Sequence, residues 1–220
     1  MEDVRKFHNS VKRNLIHTYA QGAKVLDVGC GRGGDLHKWK SARARVTMID
    51  PDGDSVMEAR RRQKNIGTKY SIMKGDIFKS PKEKYDIVCY NFSFQYVFKD
   101  AAYFYNTLYE IKDRLDVGGK FMGCIPDSEF ILTHHEYKDK HGNFFNAKKY
   151  GQIGNMVDVM LVDTPYYGGN VIPEPIAYKD FLITWMENND FEMMEWAPIA
   201  PEPTGVISDL YSKFCFVKLR

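Results

Sequence analysis

Apolar residues recur along the chain with two periods. Val4, Phe7, Val11, Leu15 and Thr18 fall three or four positions apart and predict a helix over 3–19 with one buried face. Short apolar runs of strand length follow at 25–28, 46–49, 70–73, 86–90 and 120–125. Helical spacing lies between several of them, at 36–40, 54–65 and 101–115, the last opened by Asp100 and followed by Gly118-Gly119. Strand and helix in alternation predict an α/β domain with a doubly wound, mostly parallel sheet. The alternation breaks at 138–175, a stretch rich in Gly, Asn, Tyr and Lys with strand-like pieces at 144–145 and 157–162. That break predicts an inserted β-rich lid over the carboxyl ends of the strands. A helix over 178–189 and strands at 192–196 and 211–219 bring the main sheet to seven strands, and one domain over 1–220 is expected.

Composition narrows the classes. With 220 residues, 44% hydrophobic and 27% charged, the chain has the make-up of an ordinary globule with a sizeable core. A net charge of +2 is too small to announce nucleic-acid binding, so any such site must come from clustering. Four cysteines form no C-x-x-C pair and read as buried thiols of a reducing compartment. No leader-like stretch or bilayer-length apolar run is visible, so a cytoplasmic location and no membrane partner are expected. His134, His135, Glu136 and His141 lack the spacing that converges ligands on one ion, and no metal is expected.

The chemistry concentrates on Val25-Leu26-Asp27-Val28-Gly29-Cys30-Gly31-Arg32-Gly33-Gly34-Asp35. A buried strand, a glycine turn and a helix bring backbone N–H groups close to a ligand. Gly29, Gly31 and Gly34 match the dinucleotide pattern G-x-G-x-x-G. Asp27 shifts the reading, because a carboxylate sits badly beside a pyrophosphate but well near the sulfonium and ammonium groups of S-adenosylmethionine (AdoMet). Asp50, ending the second strand, suits ribose hydroxyls, and Asp76-Ile77 would offer a carboxylate and an apolar surface to adenine. Asn91, Phe92, Gln95 and Tyr96 follow the fourth strand, where Gln95 and Tyr96 could present an amide and a ring to a planar base while Phe94 and Phe98 fill the core. Arg32 lies inside the ligand turn and suits a phosphate-bearing substrate.

Five separated blocks resemble the mRNA cap guanine-N7 methyltransferases. Phe7-His8-Asn9-Ser10-Val11-Lys12 is similar to the family's N-F-N-N-x-x-K, and the glycine block with Leu36, Lys38 and Trp39 to its L-D-L-G-C-G-K-G-G-D-L-x-K-W. Asn91-Phe92-Ser93-Phe94-Gln95-Tyr96 resembles Q-F-x-x-H-Y, and Gly123-Cys124-Ile125-Pro126-Asp127-Ser128 resembles G-T-x-P-N/D-S. Val171-Ile172-Pro173-Glu174 resembles the V-P-E loop, and Tyr211-Ser212-Lys213-Phe214-Cys215-Phe216-Val217-Lys218 the closing Y-x-x-F-x-F-x-K strand. Gln95 replaces a histidine common in the family, and His8 an asparagine.

The resemblance implies a class I AdoMet methyltransferase, Rossmann-like in fold. Lys12, Gly29, Asp50, Asp76, Asn91, Phe92 and Gln95 would hold AdoMet, joined by Asp27, Gly31 and Ile77 from the reading of the turn and the third strand. Pro126, Gln95, Tyr96, Glu174 and Tyr211 would meet the cap guanine, with Arg32 and Arg62 facing its phosphates and His8 and Asn9 nearby. The short segment 197–208 is reminiscent of capping enzymes of large cytoplasmic DNA viruses, where triphosphatase and guanylyltransferase domains accompany this one. The substrate would be the capped 5′ end of mRNA. Guanine N7 has an in-plane lone pair and no proton to lose, so positioning by Tyr96, Glu174 and Tyr211 would suffice without a catalytic acid, base or metal. Two other readings stay open: a methyltransferase for another substrate, and a domain that binds AdoMet or cap to stimulate a partner without turnover.

Overall fold

The computed structural model describes residues 2–162 and 167–220, with side chains from residue 4 onward. Helix α1 (Glu2–Tyr19) leads into β1 (Lys24–Val28), α2 (Leu36–Ser41), β2 (Arg45–Asp50), α3 (Gly53–Ile66) and β3 (Ser71–Lys74). Strand β4 (Tyr85–Asn91), a 3-10 turn at Phe94–Lys99, α4 (Ala101–Arg114) and β5 (Leu115–Pro126) continue the alternation. Then come α5 (Ser128–His134) and four short strands, β6 (Glu136–Lys138), β7 (Phe144–Ala147), β8 (Met156–Met160) and β9 (Ile172–Pro175). The chain returns through α6 (Lys179–Asn188) to β10 (Phe191–Pro198) and β11 (Tyr211–Lys218).

The seven-stranded sheet has the order β10-β11-β5-β4-β1-β2-β3. Strands β1 to β5 are parallel, and β11 runs antiparallel to both its neighbours. Parallel strands covered on both faces carry near-continuous apolar runs, and four of the five residues of β1 are buried. Gly123 lets β5 lie against β4: a Cβ there would stand 1.9 Å from the Tyr90 carbonyl oxygen, so no other residue fits. Phe94, Phe98, Phe121 and Phe214 interlock edge to face beside it and Phe104 lies tilted against Phe98, all fully buried. Cys89, Cys124 and Cys215 are buried free thiols in this core.

Reversal of β11 has a consequence for the site. Its first residue, Tyr211, stands in register with Pro126, at the carboxyl end of the parallel strands. In open α/β sheets that end is where ligands bind.

The inserted stretch is a four-stranded antiparallel sheet, β6-β7-β8-β9, spanning Glu136 to Pro175. It corresponds to the lid expected at 138–175, of which 163–166 lie outside the described residues. Two of its strands differ from expectation. Ile172–Pro175 is a strand rather than the expected loop, and its prolines are tolerated because β9 is an edge strand. The three residues of β6 are too short a run to show alternation. The insertion closes on itself: the Lys179 N–H donates to Ser128 Oγ at 3.0 Å, and Lys179 Nζ pairs with Glu129 at 2.7 Å. Buried Asp139 ties the insertion to the segment before β11, accepting from the backbone N–H groups of His141, Asn143 and Ile207.

Candidate active site

The glycine turn after β1 is held from below. Gly29 and Cys30 donate backbone N–H groups to the Ile49 carbonyl at 2.8 and 3.2 Å, and the Gly31 N–H donates to Asp50 Oδ2 at 2.7 Å. Gly29 has φ +74°, and a Cβ on it would stand 2.4 Å from Ser93 Cβ, whose own hydroxyl donates to the Val28 carbonyl. The turn is therefore open only to glycine at that position, where Ser93 packs against it. Asp50 also accepts from the Asp52 N–H at 2.9 Å. Burial raises its pKa, against the pull of those two backbone donors.

Asp27 lies beneath the turn, 2% exposed, and accepts from Trp39 Nε1 at 2.9 Å. Burial and the neighbouring Asp35 charge push its pKa up to about 7, although the Trp39 hydrogen bond opposes the shift. Asp35 behaves oppositely. Burial works against its ionisation, but Lys12 at 2.8 Å and Lys38 at 2.7 Å outweigh that and hold it at about 2. Lys38 further donates to Asn9 Oδ1 at 2.9 Å and to the Gly34 carbonyl at 3.0 Å, and Asn91 Nδ2 donates to Asp35 at 3.2 Å. Helix α1, the glycine turn and the end of β4 thus share one buried charged cluster. It contains Lys12, Asn9 and Asn91 of the expected site.

Glu174, on β9, is the centre of the second group. It is 3% exposed, and its Oε1 accepts from Tyr96 at 2.7 Å and from Tyr167 at 2.5 Å. Its Oε2 has the longer contact with Gln95 Nε2, 3.3 Å. Burial and the Glu174 charge raise the pKa of Tyr96, Tyr167 and Tyr211, so all three stay protonated donors at neutral pH. Tyr211 packs edge-on to Phe92 at 5.1 Å and to His8 at 5.2 Å, while His8 stacks on Phe92 at 5.2 Å. His8 Nε2 meets Ser208 Oγ at 3.0 Å. Burial and the Lys12 charge lower its pKa to about 4, leaving it neutral. Pro126 lies buried across from Tyr211.

Among the described residues, three buried oxygens at this end of the sheet have no partner: Asp76 Oδ1, Asn91 Oδ1 and Gln95 Oε1. Buried polar atoms are almost always satisfied, so unsatisfied acceptors at the carboxyl end of the strands point to a ligand with amine or hydroxyl donors. Asp76 Oδ2 is already used by Tyr103 at 3.2 Å, and Ile77 is buried beside it.

Two expected residues stand apart. Arg62 is taken up by Glu58 one helical turn away at 2.7 Å, together with Arg61, so it forms an exposed pair on α3 and is not gathered with Glu174. Arg32 lies near Asp52, whose pKa is lowered first by Ser55 and Asp54 hydrogen bonds and then by the Arg32 charge, which sets it at the start of α3. Sequence reasoning missed Asp35 and Lys38 as charge partners, Trp39 as the partner of Asp27, and Tyr167 and Ser208 altogether. For Lys38, helical spacing from Asp35 was the available signal.

A family model for the mRNA (guanine-N(7))-methyltransferase domain matches residues 1–152. The chain is 34% identical over 201 residues to the mRNA cap guanine-N(7) methyltransferase of Saccharomyces cerevisiae, covering 84% of this chain and 45% of that protein. It is 30% identical over 203 residues to the enzyme of that name from Candida glabrata, covering 84% and 47%. The chain therefore spans about half the length of these relatives. Its structure is similar to that of an S-adenosylmethionine-dependent methyltransferase from Clostridium acetobutylicum, with a TM-score of 0.67 over 97% of this chain and 91% of that one at 12% identity.

Proposed function

The chain belongs to the mRNA (guanine-N(7))-methyltransferase domain family, and from that premise we propose that it methylates N7 of the guanine that caps the 5′ end of mRNA, with AdoMet as donor. Its fold is the class I AdoMet methyltransferase fold, a seven-stranded, mostly parallel sheet. The residues fit the donor. The Asp50 carboxylate and the unsatisfied oxygens of Asp76 and Asn91 suit the ribose hydroxyls and the amine groups of AdoMet. When bound, AdoMet supplies an electrophilic methyl group on a sulfonium.

Everything else asked of the protein is placement. The observation that carries the reading is the Glu174 carboxylate, buried and hydrogen-bonded by Tyr96, Tyr167 and Gln95 at the ligand end of the sheet. A guanine offers two adjacent donors, N1–H and the exocyclic amine, to one carboxylate. Two hydroxyls fix Oε1, and among the described residues Oε2 carries only the long Gln95 hydrogen bond. Negative charge there favours the positive charge that grows on a methylated guanine. N7 loses no proton, so the reaction asks no general base of the site. Holding two reactants in line contributes roughly 7–11 kcal/mol.

The finer parts of the proposal concern setting. We propose a cytoplasmic location, kinship with the compact viral type, for which the short 197–208 segment speaks, and association with triphosphatase and guanylyltransferase activities. The test is mass analysis of a GpppA dinucleotide incubated with AdoMet. A gain of one methyl on the guanine, absent with uncapped RNA, is expected. An unmodified dinucleotide overturns the reading.

A further inference from the structure

Residues 134–150 carry four lysines, Lys138, Lys140, Lys148 and Lys149, against Glu136 and Asp139. Asp139 is buried and spent on backbone donors, so it does little to offset the lysines, all four of which are exposed. At one end of this stretch His135 stacks on Tyr150, centroids 4.9 Å apart and planes 25° from parallel. Both rings are exposed, Tyr150 by 53%, and His135 holds φ +56°, a region that side chains rarely adopt. An aromatic pair kept in water on a strained backbone, flanked by Lys148 and Lys149, has the make-up of a stacking platform for nucleic-acid bases. Lys148 also makes a long pair with Asp158, 3.4 Å, which takes up part of its charge.

Register links this patch to the acceptor carboxylate. Glu174 pairs with Val157, Val157 with Ala147, and the Ala147 N–H donates to the His135 carbonyl at 2.7 Å. One row of the small sheet thus runs from Glu174 to His135, three strand spacings or about 14 Å. A chain that leaves a base held at Glu174 along this row reaches the patch within a few nucleotides.

We propose that His135, Lys148, Lys149 and Tyr150 form a binding surface for the single-stranded RNA that follows the cap, stacking a base on the Tyr150–His135 pair and neutralising phosphates with the two lysines. This rests on the capped-RNA reading above and extends it from the cap to the body of the transcript. The favoured occupant is RNA rather than a protein partner, because the exposed groups are cations and rings instead of a continuous apolar face.

The experiment compares wild type with a Lys148→Ala/Lys149→Ala double variant and with Tyr150→Ala on two substrates, the GpppA dinucleotide and a capped oligoribonucleotide. On the oligomer kcat/KM is expected to fall about tenfold, with the dinucleotide unchanged. The log–log salt dependence should flatten by about 0.7 for each phosphate that the variant no longer neutralises. A Lys148→Arg/Lys149→Arg variant should keep wild-type behaviour. Equal losses on both substrates, or no loss on the oligomer, overturn the proposal. Should wild type methylate neither substrate, the parent reading fails, and anisotropy with a labelled uncapped oligomer decides the surface alone. There, weaker binding by the Ala variants supports it and unchanged binding overturns it.

Discussion

Glu174→Ala removes the carboxylate of the acceptor ring while leaving the glycine turn untouched. Methyl transfer is expected to fall by at least about a hundredfold, the scale on which a single charge-stabilising group acts. Calorimetric titration should find AdoMet binding intact, and Tyr96→Ala should behave alike. Tyr167→Phe is milder. It withdraws one of the two hydroxyls on Oε1, and a roughly tenfold rise in KM for the cap dinucleotide with little change in kcat is expected, since a hydrogen bond to a charge contributes about 1.5–3 kcal/mol. Asp27 makes a pH-dependent prediction. Its folded pKa of about 7 lies above the ordinary aspartate value of 3.8, so near neutral pH the folded state holds a proton that the unfolded chain releases. Stability from this group is complete below about pH 4 and is lost as pH rises through 7, on the order of 2–4 kcal/mol. Thermal melts of Asp27→Asn should therefore show a growing gain over wild type from pH 5 to pH 8, and a constant difference would refute the assignment. At this scale the sequence was informative where function is local. Asp27, Asp50 and the glycines stand within one strand-turn-strand unit. Tyr167 was hidden because it sits in an irregular stretch and acts only once β9 presents Glu174, and Ser208 because its hydrogen bond to His8 spans 200 residues.

The elements that carry apolar periodicity were readable, and those that do not were missed. The inner strands β1, β4 and β5 correspond to apolar runs, because strands covered on both faces must be apolar, whereas the edge strand β10 is mostly exposed. Strand β9 escaped because Pro173 and Pro175 argue against a strand until an edge position excuses them. Arg62 shows a related limit: composition cannot tell an arginine aimed at phosphate from one paired with Glu58 along its own helix. The glycine turn yields an element-level prediction. Gly29→Ala adds both a strained φ and a collision with Ser93, so a loss of about 1–3 kcal/mol in stability and a large loss of AdoMet affinity are expected, read by chemical denaturation and calorimetry. A Ser93→Gly change added to it should recover only the part due to the collision.

On the scale of the whole molecule, two sheets divide the work: the parallel sheet carries the donor turn, and the antiparallel insertion brings Glu174 to it. Asp139 joins them, so Asp139→Ala, which orphans buried N–H groups of His141, Asn143 and Ile207, should lower stability by about 2–4 kcal/mol in denaturant melts. It should also weaken cap binding more than AdoMet binding. The closure of the insertion at Lys179 and Ser128 has a different kind of consequence. Its entry and exit meet within a hydrogen bond, so the unit can in principle be lifted out and replaced at a single junction. That junction is a seam along which acceptor preference could change over evolutionary time without disturbing the donor pocket. A chimera carrying a relative's segment between Ser128 and Lys179 would bind AdoMet as before and take its choice of acceptor from the graft.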